Sequence, residues 1–402
     1  MFGSDCMRVC IIGSGASGLV CALSAKSKDN EVIILEKNNE LGKKILLTGN
    51  GKCNYWNLDM NLKHYHSETD ISNYLNDDLI NEGIKFFDDL GIEPKIKNGY
   101  FYPFSGSAKT IRDTLVNEVK KHDIKVVTNY SVKSIKKDEI SFIINDEIRS
   151  DIVVIATGGM SYPSTGSTGD GYKMLEGFHH AIRKPLPSLV ALKSENPITT
   201  WDGVRTDVKL NLYIDGEYIK SEVGELQLTN YGISGICVFN LSSYVVRALD
   251  ENKKVNIKID FLPFLSTMDT SKYLLGKNNN INLREMLNRI LNSKIVDVIL
   301  DKLNIDSNKS ISELNNKEMS KLVKYLREFS INIIGSNDFK NSQVTSGGMF
   351  LDEVNEDFSS VIVPGLYVIG EVLDVDGDCG GYNLGFAWMS AISAGKSIRV
   401  IK

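Results

Sequence analysis

Long apolar runs are missing from this sequence, and none approaches the roughly 20 residues that a bilayer-spanning helix requires. The start also lacks the basic segment followed by an apolar one that marks a secretory leader. These two absences set the expectation of a cytoplasmic protein with no membrane partner. Cysteine is scarce and scattered: Cys6, Cys10, Cys21, Cys53, Cys237 and Cys379 include no C-x-x-C pair. That argues against a disulfide framework and against a zinc site, and no metal is expected. A dominant charge is lacking too, with 46 Lys and Arg against 51 Asp and Glu and a formal net charge of -5 at pH 7. So mild a balance does not create the field on which nucleic-acid binders depend, and no nucleic-acid partner is expected. What the 402 residues do have is 42% hydrophobic content, enough for the cores of two or three domains.

Four short apolar runs end on glycine or an acidic residue. Residues 8–12 run into Gly13, 32–35 into Glu36, 152–156 toward Gly158-Gly159, and 366–369 into Gly370-Glu371. Such runs predict buried strands of a parallel sheet that opens onto a site at their carboxyl ends. Residues 16–26, rich in alanine, leucine and serine, predict the helix between the first two strands. Near Leu189 the texture changes to alternating segments, 208–214 and 218 onward around the turn Asp215-Gly216, and then 254–261. Helical spacing follows over 283–291, 295–303 and 317–329. The expected architecture is α/β, a Rossmann-like nucleotide-binding domain interrupted by an inserted β-barrel and a small helical subdomain. Its first part covers 1–188, the β-rich insert 189–268, the helical insert with a returning strand 269–343, and the second part 344–402.

The glycine turn names the ligand class. Gly13-Ser14-Gly15-Ala16-Ser17-Gly18 fits G-x-G-x-x-G, follows the first strand, opens a helix, and precedes Glu36 at the end of the second strand. Gly13 permits the tight turn, Gly15 lets a pyrophosphate approach the backbone, and Gly18 lets the helix pack on the strand. Helix amides, including those of Ala16 and Ser17, would face the phosphates. Glu36 would accept from the adenosine ribose, which disfavours a 2′-phosphate and leaves FAD or NAD.

Segments far along the chain decide between these two. FAD is long and must be held at its flavin end, and three further segments could do so. Ala156, Thr157 and Gly158 are small enough to lie against a dinucleotide. Gly370 and Glu371 resemble an acidic position near the pyrophosphate or ribityl chain. Gly380-Gly381-Tyr382-Asn383-Leu384 opens a helix whose amides could face flavin N1 and the C2 carbonyl. The expected cofactor is FAD.

The same residues resemble the BaiN/YhiN-like flavoproteins, NAD(P)/FAD-dependent or aminoacetone-oxidase-type enzymes, over almost the whole chain. The resemblance rests on residues 13–18, on Leu41-Gly42-Lys43-Lys44, on Thr48-Gly49-Asn50-Gly51-Lys52-Cys53-Asn54, on 156–171, on 365–374 including Asp374, and on 380–384. It implies FAD contacts at Gly15, Ala16, Glu36, Lys37, Lys44, Gly49, Cys53 and Asn54, at the backbone of Val132, and in the C-terminal loop with Gly381, Asn383 and Leu384. Ser14 stands where relatives usually carry glycine, Lys52 where they carry arginine, and Asn230 where they often carry histidine. Asn230 does not titrate near neutrality, which puts a family acid–base role there in doubt. Residues 357–361 diverge as well.

Flavin chemistry asks little of side chains beyond orientation. The expected activity is reduction of a small hydrophobic substrate, such as a conjugated enone or steroid-like molecule, with electrons from NAD(P)H or another donor. A flavin amine oxidase, or an FAD-containing RNA- or partner-binding protein, are the alternatives. Tyr162 and Tyr382 are candidate proton donors, or else pack on the ring system or the sheet. Cys53 reads as a packing thiol, Asp374, Asp376 and Asp378 as a solvated loop around FAD, with Asp374 a cofactor contact, rather than a metal site, and His179-His180 as a surface or helix-end pair. Residues 269–330 carry 11 Lys or Arg against 8 Asp or Glu, too mild an excess to favour RNA.

Overall fold

The computed structural model describes residues 6–265, 270–276 and 281–401. The boundary expected between 268 and 269 lies outside them. The chain forms two compact units, Met1–Pro187 with Phe339–Lys402, and Ser188–Asp338. The sequence reading put these joins after 188 and after 343.

The first unit is built on a five-stranded parallel sheet in the order Leu366–Val368, Ile152–Ile155, Met7–Ile12, Asn30–Leu35, Lys125–Val127. Val9, Cys10, Ile11, Val153, Val154 and Ile155 are fully buried. Two-sided burial is why these strands read as unbroken apolar runs rather than as alternation. From the first strand the chain goes to one neighbour early and to the other only after Ser150. This reversal puts the ends of Met7–Ile12 and Ile152–Ile155 at a topological switch point, where open α/β sheets bind ligands. The helix Ala16–Ala25 packs on the C-terminal helix Tyr382–Val400. The fit is tight at Gly395, where a Cβ would stand 2.4 Å from Ser24 Cβ.

The second unit has its own core around a closed barrel of six strands. Arg205–Ile214 and Glu217–Leu228 form its long hairpin. The turn residues Asp215 and Gly216, at φ 50 and 88, fit the left-handed pair a type I′ turn needs. Helices Leu283–Asn288, Ser293–Leu303 and Asn316–Arg327 answer to the expected helical spacing, and Phe329 belongs instead to the barrel strand Phe329–Ser336. One helix, Ile236–Asp250, lies inside the segment read as β-rich. Its Ile, Val, Phe and Tyr content imitates a strand, whereas its buried residues Val238, Leu241, Val245 and Ala248 follow helical spacing.

Candidate functional site

A cleft opens at the carboxyl ends of the sheet strands in the first unit, enclosing about 1270 Å³ of empty space out to the open solvent. The three glycines of the turn have three different surroundings. Gly13 turns at φ 102, and a Cβ there would stand 2.5 Å from the Ala156 carbonyl oxygen. A Cβ on Gly18 would stand 2.0 Å from the Gly13 carbonyl oxygen, so this glycine is demanded by helix-on-strand packing and does not line the cleft. Around Gly15, which does line it, a Cβ would meet no protein atom within 4 Å. The open glycine faces ligand space; the other two are fixed by the protein's own backbone.

Ala16 and Ser17 line the cleft at the start of a helix with no side-chain cap. Glu36, buried after the second strand, is engaged on both oxygens: Oε2 accepts from the Ser14 N–H (2.9 Å) and hydroxyl (2.6 Å). Oε1 accepts from the Asn38 N–H (2.7 Å) and Nδ2 (2.7 Å). Lys37 donates to Asp170 Oδ2 (2.6 Å) and to the Thr168 hydroxyl (2.5 Å). Further along, Lys44 Nζ meets Glu371 Oε2 at 2.6 Å, while Glu371 Oε1 accepts from the Thr345 N–H at 2.9 Å. Ala156, Thr157, Gly158 and Val132 complete the wall.

Asn383 and Leu384 line the cleft in the first turn of the 19-residue C-terminal helix. No side chain caps that helix, so its leading N–H groups keep the partial positive charge of a helix N-terminus. Asn383 Oδ1 accepts from the Gly377 N–H and its Nδ2 donates to the Gly377 carbonyl, both at 2.8 Å, which pins the preceding loop. Gly381, at φ 94, is set against the Trp56 backbone rather than the cleft. Gly370 is buried, and a Cβ on it would stand 2.6 Å from Ser17 Oγ.

Several expected residues lie elsewhere. Gly49, Gly51, Cys53 and Asn54 do not line the cleft; only Thr48 of their loop does. Cys53 is fully buried, and burial pushes its thiol pKa up to about 12, so it is an inert packing thiol. The acidic run is not a solvated loop, and Asp374, expected at the cofactor, does not line the cleft. Asp374, Asp376 and Asp378 are buried, Asp374 accepting from the Glu68 N–H and from Arg183, and Asp378 facing His64 (3.1 Å) and His66 (3.3 Å). Among the described residues no group of His, Cys, Asp and Glu is arranged to hold a metal. His180 is likewise buried rather than at the surface, between Glu353 and Ser360, whereas His179 is exposed.

The two candidate proton donors differ. The Tyr382 ring is buried, stacks on His64 at 4.3 Å, and does not line the cleft; burial raises its phenol pKa strongly. Tyr162 is half-buried, at φ 55, with its N–H donated to the Phe339 carbonyl, and it does not line the cleft either. Asn230 is exposed in the second unit, its N–H bound to Asp202. In the divergent 357–361 segment, Asp357 is bound to Ser359 and Ser397.

Residues that the sequence reading left unassigned also line the cleft, among them Ser14, Asn38, Lys43, Tyr130, Ser131, Gln343, Val344 and Thr165 to Ser167. Thr165, Gly166 and Ser167 were already part of a matched motif, which was a usable signal. Ser14 and Lys43 likewise lie inside matched motifs, whereas Tyr130, Ser131, Gln343 and Val344 sit in segments with no motif to mark them. No helix among the described residues is long and apolar enough to cross a membrane.

The profile of the HI0933-like protein Rossmann domain matches residues 7–397. The 3-dehydro-bile acid delta(4,6)-reductase of Clostridium scindens is 36% identical, with 97% of this chain and 98% of that protein covered. Ribosomal RNA dihydrouridine synthases of Haemophilus influenzae and Escherichia coli are 27% and 29% identical, covering 96% and 98% of this chain and 97% and 98% of theirs. With a family match over nearly its whole length and relatives aligned end to end, the chain belongs to the HI0933-like Rossmann family, the BaiN/YhiN-like flavoprotein oxidoreductases.

Proposed function

We propose that the protein binds FAD in this cleft and reduces a carbon–carbon double bond conjugated to a carbonyl, on a small hydrophobic, steroid-like substrate. The observation that carries the reading is one cleft lined together by a buried carboxylate, an open glycine and the first turn of an uncapped helix. Glu36 would take the adenosine ribose, Gly15 with the Ala16 and Ser17 amides the pyrophosphate, and the Asn383–Leu384 turn the pyrimidine edge of the flavin. When bound, FAD supplies a hydride at N5.

The chain's own residues then position and polarise. The helix N-terminus favours negative charge at N1 and C2, where it develops on reduction. Lys44 is held beside the cleft by Glu371, which Thr345 orients in turn. Conjugate reduction also needs a proton at the carbon next to the carbonyl, and neither Tyr162 nor Tyr382 lines the cleft to donate it.

The names of the relatives support the reaction class. Saturating a bile-acid dienone and reducing uridine to dihydrouridine are both reductions of a double bond conjugated to a carbonyl. Identity is higher to the reductase, and the charge of the chain offers no field for RNA. NAD(P)H is proposed as the donor, binding transiently, since one parallel nucleotide-type sheet is present among the described residues. The test is anaerobic: NADH and NADPH should each be mixed with the flavin-loaded protein, and a steroidal enone added once the flavin bleaches. Reoxidation by the enone is the expected result. A flavin that neither nucleotide bleaches but an amine does would replace this reading with an amine oxidase. Loss of ribosomal dihydrouridine in a strain lacking the protein would replace the substrate.

A further inference from the structure

The ribose-binding carboxylate carries a competitor supplied by the chain itself. A carboxylate offers about four lone-pair positions, two on each oxygen. On Glu36 all four are taken, by the N–H and hydroxyl of Ser14 on Oε2 and by the N–H and Nδ2 of Asn38 on Oε1. The two backbone donors are fixed by the fold, and they orient the carboxylate. The two side-chain donors occupy acceptor positions that the hydroxyls of a ribose bound to Glu36 would need.

They are not equally easy to move. Asn38 Nδ2 also donates to the Thr165 carbonyl at 3.0 Å, and a Cβ on Gly166 would lie only 2.5 Å from it, so the amide is clamped. The Ser14 hydroxyl donates to Glu36 at 2.6 Å and leaves by rotation about a single torsion. We propose that the Ser14 hydroxyl is a displaceable self-ligand of Glu36, and that adenosine ribose binds only by expelling it, so that Ser14 lowers FAD affinity. This rests on the reading of the cleft as an FAD site. A net hydrogen-bond contribution of ordinary size corresponds to about three- to tenfold in affinity.

The test is a titration of the apoprotein and its Ser14→Ala variant with FAD, followed by flavin fluorescence, with ADP as a competitor. Removing one oxygen at a buried site whose backbone is not in the left-handed region leaves the fold intact, which thermal unfolding verifies. The expected result is FAD and ADP both bound about three- to tenfold more tightly by Ser14→Ala, with FMN, which has no adenosine, bound alike by both proteins. Equal or weaker FAD binding by the variant overturns the proposal, as does a gain shared by FMN. Failure of the wild-type protein to bind FAD at all would overturn the cofactor reading instead, so the two failures are distinct.

Discussion

Gly15→Ala and Gly18→Ala, one methyl group each and three residues apart, should fail in opposite ways. For Gly18→Ala the new Cβ would stand 2.0 Å from the Gly13 carbonyl oxygen, at least 1 Å inside the closest approach real Cβ atoms make. Gly13 has little room to retreat, since even a Cβ on it would stand 2.5 Å from the Ala156 carbonyl oxygen. Overpacking of this kind costs about 1–3 kcal/mol, and the rigid backbone on both sides puts this site at the upper end. For Gly15→Ala two small effects oppose each other. Alanine is the poorer residue at a helix N-cap, by roughly 0.5–1 kcal/mol, but it restricts the unfolded chain, worth about 0.4–1 kcal/mol in the other direction. Its backbone at φ -71 and ψ -163 accepts alanine, so stability should stay within about 1 kcal/mol of wild type. The added methyl points into the cleft, where about 1–3 kcal/mol of steric cost against a pyrophosphate weakens FAD binding roughly 5- to 150-fold. Urea unfolding of the apoproteins and FAD titration separate the two quantities. Wild-type FAD affinity in Gly15→Ala would remove the pyrophosphate from this turn, and wild-type stability in Gly18→Ala would refute the packing argument.

Arg327 Nη2 pairs with Asp260 at 2.9 Å, both side chains nearly inaccessible, and its Nη1 donates to the Leu262 and Leu265 carbonyls. Arg327→Met should therefore cost about 3–5 kcal/mol in urea unfolding, with partial recovery when Asp260→Asn is added. Asp151 takes three donations from Arg8, which hold its carboxyl below the usual carboxylate range. Because the folded value is the lower one, this stabilisation is complete above the unfolded carboxylate range and disappears as pH falls through the folded value. Wild type should thus lose more of its urea midpoint than Asp151→Asn on acidification to about pH 3, and parallel losses would contradict the assignment. Cys53, its thiol pKa pushed up to about 12 in full burial, should stay unmodified by iodoacetamide at about pH 8 until the protein is unfolded, as peptide mass spectrometry reads directly.

Strand ends and the glycine turn were readable from sequence because their causes are local. A two-sided buried strand must be apolar throughout, and a sharp turn against a neighbouring carbonyl must be glycine, as at Gly13. The misread residues depend on partners distant in the chain. Nothing near Asp374 or Asp378 announces Arg183, His64 or His66, so their burial could not be foreseen. Nor does Glu36 announce that Ser14 and Asn38 fill its oxygens, since both bonds follow from where the turn and the second strand end in space. The helix Ile236–Asp250 was hidden for a different reason: its β-branched and aromatic residues serve helix burial here and strand burial elsewhere.

The sheet order also bears on when the protein can acquire its cofactor. The strand Leu366–Val368 adds to Ile152–Ile155 more than 200 positions later in the chain, and the cleft takes its last wall from Ala387. During synthesis the segment Ser188–Asp338, with a contiguous sequence and a core of its own, emerges and can close first. The nucleotide turn, although among the earliest residues made, waits beside an unfinished sheet edge until residue 387 has left the ribosome. On the proposed reading of this cleft, flavin loading is then a late event in biosynthesis. Chains cut before that point would keep a folded barrel yet remain colourless.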